Sequence, residues 1–254
     1  MRTIAITNQK GGVGKTTTAV NLAAGLALRD CRVLLVDLDP QGNTSMGSGV
    51  DKNAVRRHVY HLLLGTATLD EVRVRTEHGY DLLPTNRELG GAEIELIEVE
   101  GRETRLRHAL ATVADEYDFV LIDCPPALNL LTVNGLGCAQ GVLIPMQCDY
   151  YALEGLTDLV NTLRKVRQTL NPRIEIYGLL RTLYDARSTL AQQVTQQLSE
   201  HFGDKLLATT IPRNIRLAEA PSYGRPIFAY DKASRGALAY GALADELLAR
   251  LAGK

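Results

Sequence analysis

Cysteine is scarce in this chain of 254 residues, and the few that occur show no C-x-x-C spacing. Metal and redox centres that depend on cysteine commonly use such closely spaced pairs, so a metal site is disfavoured. Three of the four lie in apolar or glycine-rich runs, where a free thiol packs as a small apolar side chain. We therefore expect reduced thiols, mostly buried, of the kind found in the cytosol. The cysteines are Cys31, Cys124, Cys138 and Cys148.

Long apolar runs are absent as well. No segment approaches the roughly 20 apolar residues that a membrane-spanning helix requires. The first six residues, MRTIAI, lack the features of a secretory signal and predict a strand instead. These absences favour a soluble protein of the cytoplasm.

The sequence has almost no net charge, at −1, but its charges are unevenly distributed. Basic residues outnumber acidic ones from residue 159 onward, whereas the preceding part is acidic. A basic carboxyl-terminal part suggests an anionic partner, and solvated helix faces explain it equally well. No helix-turn-helix, zinc-finger or aromatic stacking motif is present, so DNA binding would use arginines and phosphates without sequence specificity.

Short apolar segments alternate with helical patterns along the chain. The runs RVLLVD and DFVLID are continuously apolar, as expected of strands buried on both faces of a parallel sheet. The alternation predicts an α/β fold with a doubly wound, mainly parallel sheet and helices on both faces. We see no linker and no repeat, so residues 1–254 are expected to form one domain. Strands are predicted at 3–7, 32–37, 80–84, 118–123, 141–145, 174–183 and 206–211, and helices at 15–29, 102–115, 152–170, 188–202 and 234–251.

A glycine-rich loop follows the first strand and opens the first helix, in the segment TNQKGGVGKTTT. Glycines let backbone N–H groups turn around an anion, and the helix directs its positive end to the same place. Lys15 supplies charge for the β- and γ-phosphates of a nucleotide, Thr16 a hydroxyl for Mg²⁺, and Thr17 a contact to the α-phosphate. The loop departs from the template G-x-x-x-x-G-K-[ST], because Gln9 replaces the first glycine and a second lysine, Lys10, follows it.

Aspartates close two of the predicted strands. Asp37 and Asp39 end the second strand in VDLDPQGN, and Asp123 ends FVLIDCPP. Ligands of open parallel sheets sit beyond the carboxyl ends of the strands. A carboxylate there suits a ligand of Mg²⁺ or of its bound water, so these residues and the loop predict one site.

Five segments, in this order and spacing, resemble the ParA/Soj chromosome-partitioning ATPases of the deviant Walker A group, which includes MinD. They are KGGVGKTTTAVNLA, VLLVDLDPQGN, DFVLIDCPP, YYALEG and IPRNIRLAEAPSYGRPI. The resemblance spans nearly the whole chain, and the last segment points to ParA/Soj in particular. It implies ATP and Mg²⁺ as cofactors, a homodimer formed with ATP, non-specific binding of double-stranded DNA on the nucleoid, and a ParB/Spo0J-type partner that stimulates hydrolysis.

The resemblance also assigns roles to matching residues. Lys10 of one subunit would reach the phosphates held by the other, Asp39 would orient the attacking water, and Asp123 would be the Walker B carboxylate. Gly11 would lie where the two subunits meet. The implied catalytic residues are Lys10, Lys15 and Asp39, and the implied metal ligands are Thr16 and Asp123. The implied nucleotide-binding residues are Lys10, Gly11, Gly12, Val13, Gly14, Lys15, Thr16, Thr17, Pro212 and Asn214, of which the last two would bind adenine. The implied DNA contacts are Arg187 and Arg216.

Two other functions remain open at this stage. A MinD-like ATPase that cycles on membranes would need a basic amphipathic terminal helix, but GALADELLARLAGK carries Asp245 and Glu246 and resembles a packing helix. A metabolic phosphoryl-transfer enzyme would need a small-molecule pocket, for which we find no motif. The extra amino-terminal DNA-binding domain of larger plasmid-type relatives is not expected, and the cargo, a chromosome, plasmid or protein cluster, stays open.

Overall fold

The computed structural model describes residues 1–252; Gly253 and Lys254, which end the amphipathic terminal segment, lie outside the described residues. Its centre is a single eight-stranded sheet. The strands are β1 (Arg2–Ile6), β2 (Val33–Asp37), β3 (Val74–Arg75), β4 (Asp81–Leu83), β5 (Phe119–Asp123), β6 (Gly141–Met146), β7 (Glu175–Tyr184) and β8 (Leu206–Pro212).

The strand order is β3-β4-β2-β5-β1-β6-β7-β8, with β1 in the interior. All neighbours pair in parallel except the two-residue β3, which is antiparallel to β4 at one edge. The chain leaves β1 toward one edge and later returns to build the other edge from β6 onward. A crevice therefore opens at the carboxyl end of β1, which is where ligands of doubly wound sheets bind.

Helices cover both faces of this sheet, as predicted. The twelve helices of the described residues are α1 (Lys15–Ala27), α2 (Asn43–Gly47), α3 (Val59–Leu64), α4 (Leu69–Val72), α5 (Leu89–Glu95), α6 (Arg105–Ala111), α7 (Leu130–Cys138), α8 (Ala152–Thr169), α9 (Thr189–Phe202), α10 (Ile215–Glu219), α11 (Ile227–Tyr230) and α12 (Arg235–Ala252). Short 3-10 turns lie at Leu96–Glu98, Arg102–Thr104, Gly203–Lys205 and Ala220–Tyr223.

The continuous apolar runs explain why both faces are covered. Every residue of β2 is buried, and its side chains alternate between two separate cores. Leu34 and Val36 belong to the core under α3, α6, α7 and α8, whereas Val33 and Leu35 belong to the core under α1 and α12. Strands buried on both sides have no polar face, which confirms the interpretation of these runs as interior strands.

Several elements differ from the sequence prediction, which lacked β3 and the helices α2 to α5, α7, α10 and α11. The helix expected at 102–115 is a 3-10 turn followed by α6, which ends at Ala111 because the next residues form tighter i→i+3 turns. Helix α7 was not predicted, since its glycines disfavour a helix. They are needed for close packing: a Cβ on Gly135 would lie 2.9 Å from the Sγ atom of Cys124.

The terminal helix α12 is fastened to the body of the protein. Tyr240, Leu243 and Leu247 are buried in the core that it shares with α1. Asp245 pairs with Arg29 of the α1 region, and the Glu246 carboxylate accepts the N–H groups of residues 208 and 209 in β8 at 2.8 Å. The helix therefore packs through its apolar side. Across residues 1–252, no helix has the length and apolar character to cross a membrane.

The cysteines are free, in agreement with expectation, but their burial differs. Cys124 is fully buried, whereas Cys31, Cys138 and Cys148 are partly exposed. The prediction of burial was therefore right for one residue and wrong for the others, because an apolar run does not say how completely its neighbours cover it.

The packing of β6 against β7 gives a stability prediction. A Cβ on buried Gly141 would lie 2.2 Å from the ring of Tyr177, so the ring must move in Gly141→Ala. We expect the free energy of unfolding, measured by urea denaturation, to fall by about 1–3 kcal/mol through overpacking. Gly155→Ala in α8 is the control: its Cβ meets nothing within 4 Å, and alanine favours a helix by up to about 1 kcal/mol. Equal stability of the two variants would contradict this account.

Candidate nucleotide-binding site

The loop from Thr7 to Gly14 joins the carboxyl end of β1 to α1, in the crevice of the sheet. Gly12 and Gly14 have φ values of 73° and 86°, in the left-handed region that glycine adopts without strain. Gly14 is the residue before α1, so the loop turns directly into the helix amino terminus. Successive N–H groups in such a turn form a concave surface that binds anions.

Hydrogen bonds to β6, to the residue after it and to β7 hold the loop in place. The Asn8 amide donates to the carbonyl of Pro145 at 2.8 Å, and the Gln147 amide donates to the carbonyl of Gly12 at 3.0 Å. The Thr182 hydroxyl donates to the carbonyl of Val13 at 2.7 Å. The loop is therefore preorganised, which lowers the entropic cost of binding a phosphate.

Lys15 lies inside the loop. Its Nζ atom donates to the carbonyl of Lys10 at 3.0 Å, and the side chain is largely buried. Burial lowers the pKa of this ammonium, while the nearby carboxylates of Asp123 and Asp39 act in the opposite direction. Within residues 1–252 no carboxylate lies close enough to form an ion pair with it. The arrangement leaves a buried positive charge for a phosphate group.

The side chain of Lys10, unlike that of Lys15, lies at the surface of the protein. Its ammonium forms an ion pair with Asp149, which follows β6, and both side chains are more than a third exposed. Only its backbone belongs to the loop, where the N–H group donates to the side chain of Asn8 at 3.0 Å. The two lysines thus differ in environment: Lys15 lies within the loop, and Lys10 lies at its rim.

Asp123 is the buried acidic centre of the site. Its Oδ2 atom accepts hydrogen bonds from the hydroxyls of Thr16 at 2.7 Å and Thr44 at 2.6 Å. Its Oδ1 atom is buried and has no hydrogen-bond partner among the described residues. Burial raises the pKa of the Asp123 carboxyl to about 6, and the two hydroxyls partly offset this.

A divalent cation would satisfy the free oxygen. An unpaired buried acceptor is costly, and Mg²⁺ prefers carboxylate and hydroxyl oxygens, either directly or through its bound waters. The residues present therefore fit Mg²⁺, with Thr16 and Asp123 as the donors named by the sequence. Bound there, the cation would neutralise charge on the β- and γ-phosphates.

The two aspartates of VDLDPQGN have separate environments. Asp37 is fully buried and accepts hydrogen bonds from Ser45, at both its N–H and hydroxyl groups, and from the N–H group of Asp39. Burial, together with the neighbouring Asp123, raises the pKa of Asp37 to about 8. Asp39 is partly exposed, and its Oδ1 atom accepts the N–H group of Gln41 at 3.0 Å. Asp37 is therefore structural, although the motif alone also placed it among the candidate ligands.

The predicted adenine-binding residues lie at the same edge of the sheet. Pro212 ends β8, and Asn214 precedes α10, where its Oδ1 atom accepts the N–H group of Leu217 at 3.2 Å. This cap occupies the carbonyl oxygen of the Asn214 amide. A cavity of about 380 Å³ adjoins Thr16 and Thr17. Its other walls come from α2 and the segment that ends at Arg225, which sequence reasoning did not assign to the site.

The two arginines predicted to contact DNA lie outside the phosphate loop. Arg187 follows β7 and pairs with Asp185 at 2.9 Å. Arg216 lies in α10, after β8, and pairs with Glu219 at 2.9 Å and with Asp231 at 3.5 Å. Because β7 and β8 are parallel neighbours of β6, both arginines are at the edge of the sheet that carries the loop.

Comparisons with known proteins agree with this geometry. A family model described as an AAA domain matches residues 1–176. Soj of Bacillus subtilis, described as a sporulation initiation inhibitor protein, is 52% identical over 247 residues, or 97% of this chain and 98% of that protein. The chain belongs to the ParA/Soj family of ATPases. ParA of Caulobacter vibrioides, a chromosome partitioning protein, is 49% identical over 98% of this chain and 95% of its own length.

A solved structure confirms the predicted fold class of this ParA/Soj-family protein, and its ligands agree with the predicted cofactors, ATP and Mg²⁺. The cobyrinic acid a,c-diamide synthase of Mycobacterium smegmatis has a TM-score of 0.88 and 39% identity, covering 100% of this chain and 97% of that one. That structure contains an ATP analogue and magnesium. Membership of the ParA/Soj family makes the protein described here an ATPase.

The phosphate loop yields a binding prediction. Lys15→Ala removes the buried ammonium, so we expect ATP affinity, measured by calorimetry, to fall by about 100-fold or more, since hydrogen bonds to charged groups contribute roughly 1.5–3 kcal/mol each. Lys165→Ala, on the exposed side of α8, is the matched control and should bind normally. ATP affinity of Lys15→Ala within a few fold of the unaltered protein would remove Lys15 from the site.

Proposed function

We propose that this ATPase is a DNA-partitioning switch that works as an ATP-dependent dimer. ATP joins two copies face to face, the dimer binds double-stranded DNA without sequence preference, and hydrolysis to ADP and phosphate separates it. A ParB/Spo0J-type partner stimulates hydrolysis, and the protein acts in the cytoplasm on the nucleoid. The supporting observation is that the two lysines of the loop differ in exposure: Lys15 is buried within the loop, whereas Lys10 is exposed at its rim.

The position of Lys10 supports a role outside its own loop. Its ammonium lies at the surface beside Asp149, while Lys15 already provides the cation inside the loop. A cation delivered by a second subunit can stabilise the charge on a transferring phosphoryl group, as an arginine finger does. Without a phosphate, two approaching lysines would repel each other. Dimer formation would therefore depend on ATP.

The surface beside Lys10 leaves room for a second copy. A Cβ added to Gly11 would meet nothing within 4 Å in this chain, so its own packing does not require glycine there. Glycine would be required at this position if the backbone of a second subunit approached it closely. In the proposed hydrolysis Asp39, partly exposed in the loop after β2, orients the attacking water, and its loss would leave ATP bound and uncleaved.

The dimer gives a direct test. Asp39→Ala should elute as a dimer with ATP and Mg²⁺ in size-exclusion chromatography with light scattering, because hydrolysis no longer separates the subunits. Adding Lys10→Ala should return it to a monomer, since the cation that reaches the second nucleotide is lost.

The control for that experiment is Asp39→Ala with Lys165→Ala, which should stay dimeric. A dimer that persists without Lys10 would refute the proposed role of this residue. A monomer in Asp39→Ala alone would refute the dimer switch itself.

The position of the arginines supports DNA binding by the same dimer. Arg187 and Arg216 follow the carboxyl ends of β7 and β8, so they share an edge with the nucleotide loop. Their partners are exposed or partly exposed carboxylates, and such surface ion pairs are weak enough for DNA phosphates to displace. A dimer would pair two such patches and gain affinity by avidity. ATP binding and DNA binding would thereby be coupled.

Removal of these arginines should weaken DNA binding, while ATPase activity, measured in protein that retains Asp39, remains. In the Asp39→Ala dimer we expect Arg187→Ala or Arg216→Ala to raise the DNA concentration needed for a gel shift severalfold, and to reduce its dependence on salt. Arg173→Ala is the matched control, because this exposed arginine precedes β7 at the opposite end of the sheet. Gel shifts that are unchanged across a salt series would exclude this face.

The alternatives receive less support. A membrane-cycling role needs a free amphipathic helix, but the apolar side of α12 is buried against α1 and β8. A metabolic role is suggested by the Mycobacterium smegmatis protein, because it is named a cobyrinic acid a,c-diamide synthase. The Soj and ParA relatives share more of their sequence with this chain and are named for sporulation control and chromosome partitioning, which favours partitioning.

A further inference from the structure

Two buried carboxylates meet at the ends of neighbouring strands. Asp37 of β2 and Asp123 of β5 are register partners in the sheet, and both are fully buried. Like charges at such a position disfavour each other's ionised forms, and burial adds to the cost. The ends of β2 and β5 therefore need hydrogen-bond donors that hold each carboxylate in one orientation.

The first turn of α2 supplies these donors from two consecutive residues. The Thr44 hydroxyl donates to Oδ2 of Asp123 at 2.6 Å, and Ser45 donates twice to Oδ2 of Asp37, each at 2.8 Å. The Ser45 hydroxyl also accepts the N–H group of Thr85 at 3.0 Å. Ser45 thus fixes α2 against β2 and the segment after β4, while Thr44 reaches the metal-facing aspartate.

The hydroxyls of Thr44 and Thr16 both donate to the same oxygen of Asp123, but the two residues have different roles in this site. The Thr16 hydroxyl would also be a ligand for Mg²⁺, whereas Thr44 is fully buried and its hydroxyl has no other hydrogen-bond partner within residues 1–252. With Oδ2 held by both hydroxyls, the free oxygen of the carboxylate is Oδ1. Hydrogen-bond partners of this kind orient metal ligands and set metal affinity.

We propose that Thr44 is a positioning residue for the magnesium site. Its hydroxyl holds the Asp123 carboxylate in the orientation that leaves Oδ1 available to the cation or to one of its waters. Thr44 touches neither nucleotide nor metal in this scheme and acts through Asp123 alone. Because α2 begins three residues after Pro40, the same turn connects the magnesium site to the loop that carries Asp39.

The test measures how much Mg²⁺ strengthens ADP binding, a quantity that does not depend on dimer formation or hydrolysis. ADP affinity is determined by calorimetry with excess Mg²⁺ and with a chelator. Thr44→Val keeps the shape of the side chain and removes the donor, so we expect the gain in affinity on adding Mg²⁺ to shrink by about 10-fold or more. Binding in the chelator should stay near that of the unaltered protein.

Two further variants separate positioning from structure. Thr44→Ser retains the hydroxyl and should restore the magnesium effect. Ser45→Ala removes a hydroxyl one residue away that does not touch Asp123; it should lower the midpoint of thermal unfolding and leave the magnesium effect intact.

The proposal is overturned by any of three results. These are a Thr44→Val variant with the full magnesium effect, a Thr44→Ser variant that behaves like Thr44→Val, or loss of ADP binding in Thr44→Val even with the chelator. The last result would make Thr44 a purely structural residue. None of them bears on whether the protein dimerises with ATP.

Discussion

The buried carboxylate of Asp123 is the contact on which the site depends. It ends β5 beside β1 and accepts hydroxyl hydrogen bonds from the first turns of α1 and α2. The helix that binds phosphate and the helix that follows Asp39 are thereby fixed to one point of the sheet. Burial makes this arrangement demanding, because a carboxylate away from water must have all its lone pairs satisfied. The one free oxygen is the reason that the site suits a divalent cation.

Sequence reasoning located most of this site because its signals are local. A loop of glycines followed by Lys15 has few conformations compatible with a strand on one side and a helix on the other. Apolar runs such as RVLLVD predict interior strands, and parallel strands bring their carboxyl ends to one edge, so Asp39 and Asp123 could be placed near the loop from the sequence alone. The fold class followed from the same alternation.

What the sequence could not show depends on contacts between distant residues. Asp37 and Asp39 differ by two positions and have similar chemistry, and only the position of Ser45 decides that Asp37 is structural. Helix α2 has five residues, too few for a periodic apolar pattern, so the role of Thr44 was not visible. The ion pair of Lys10 joins residues 139 apart in the chain. Such pairings arise from the topology of the sheet and have no local signature.

The contact between Glu246 and β8 has a consequence for how copies of this protein can associate. Strand β8 forms an edge of the sheet, and unpaired edge N–H groups invite another chain to add a strand. The Glu246 carboxylate occupies the N–H groups of Ala208 and Thr209, and the opposite edge, β3, is only two residues long. Both features disfavour the addition of a strand from another copy at either margin of the sheet.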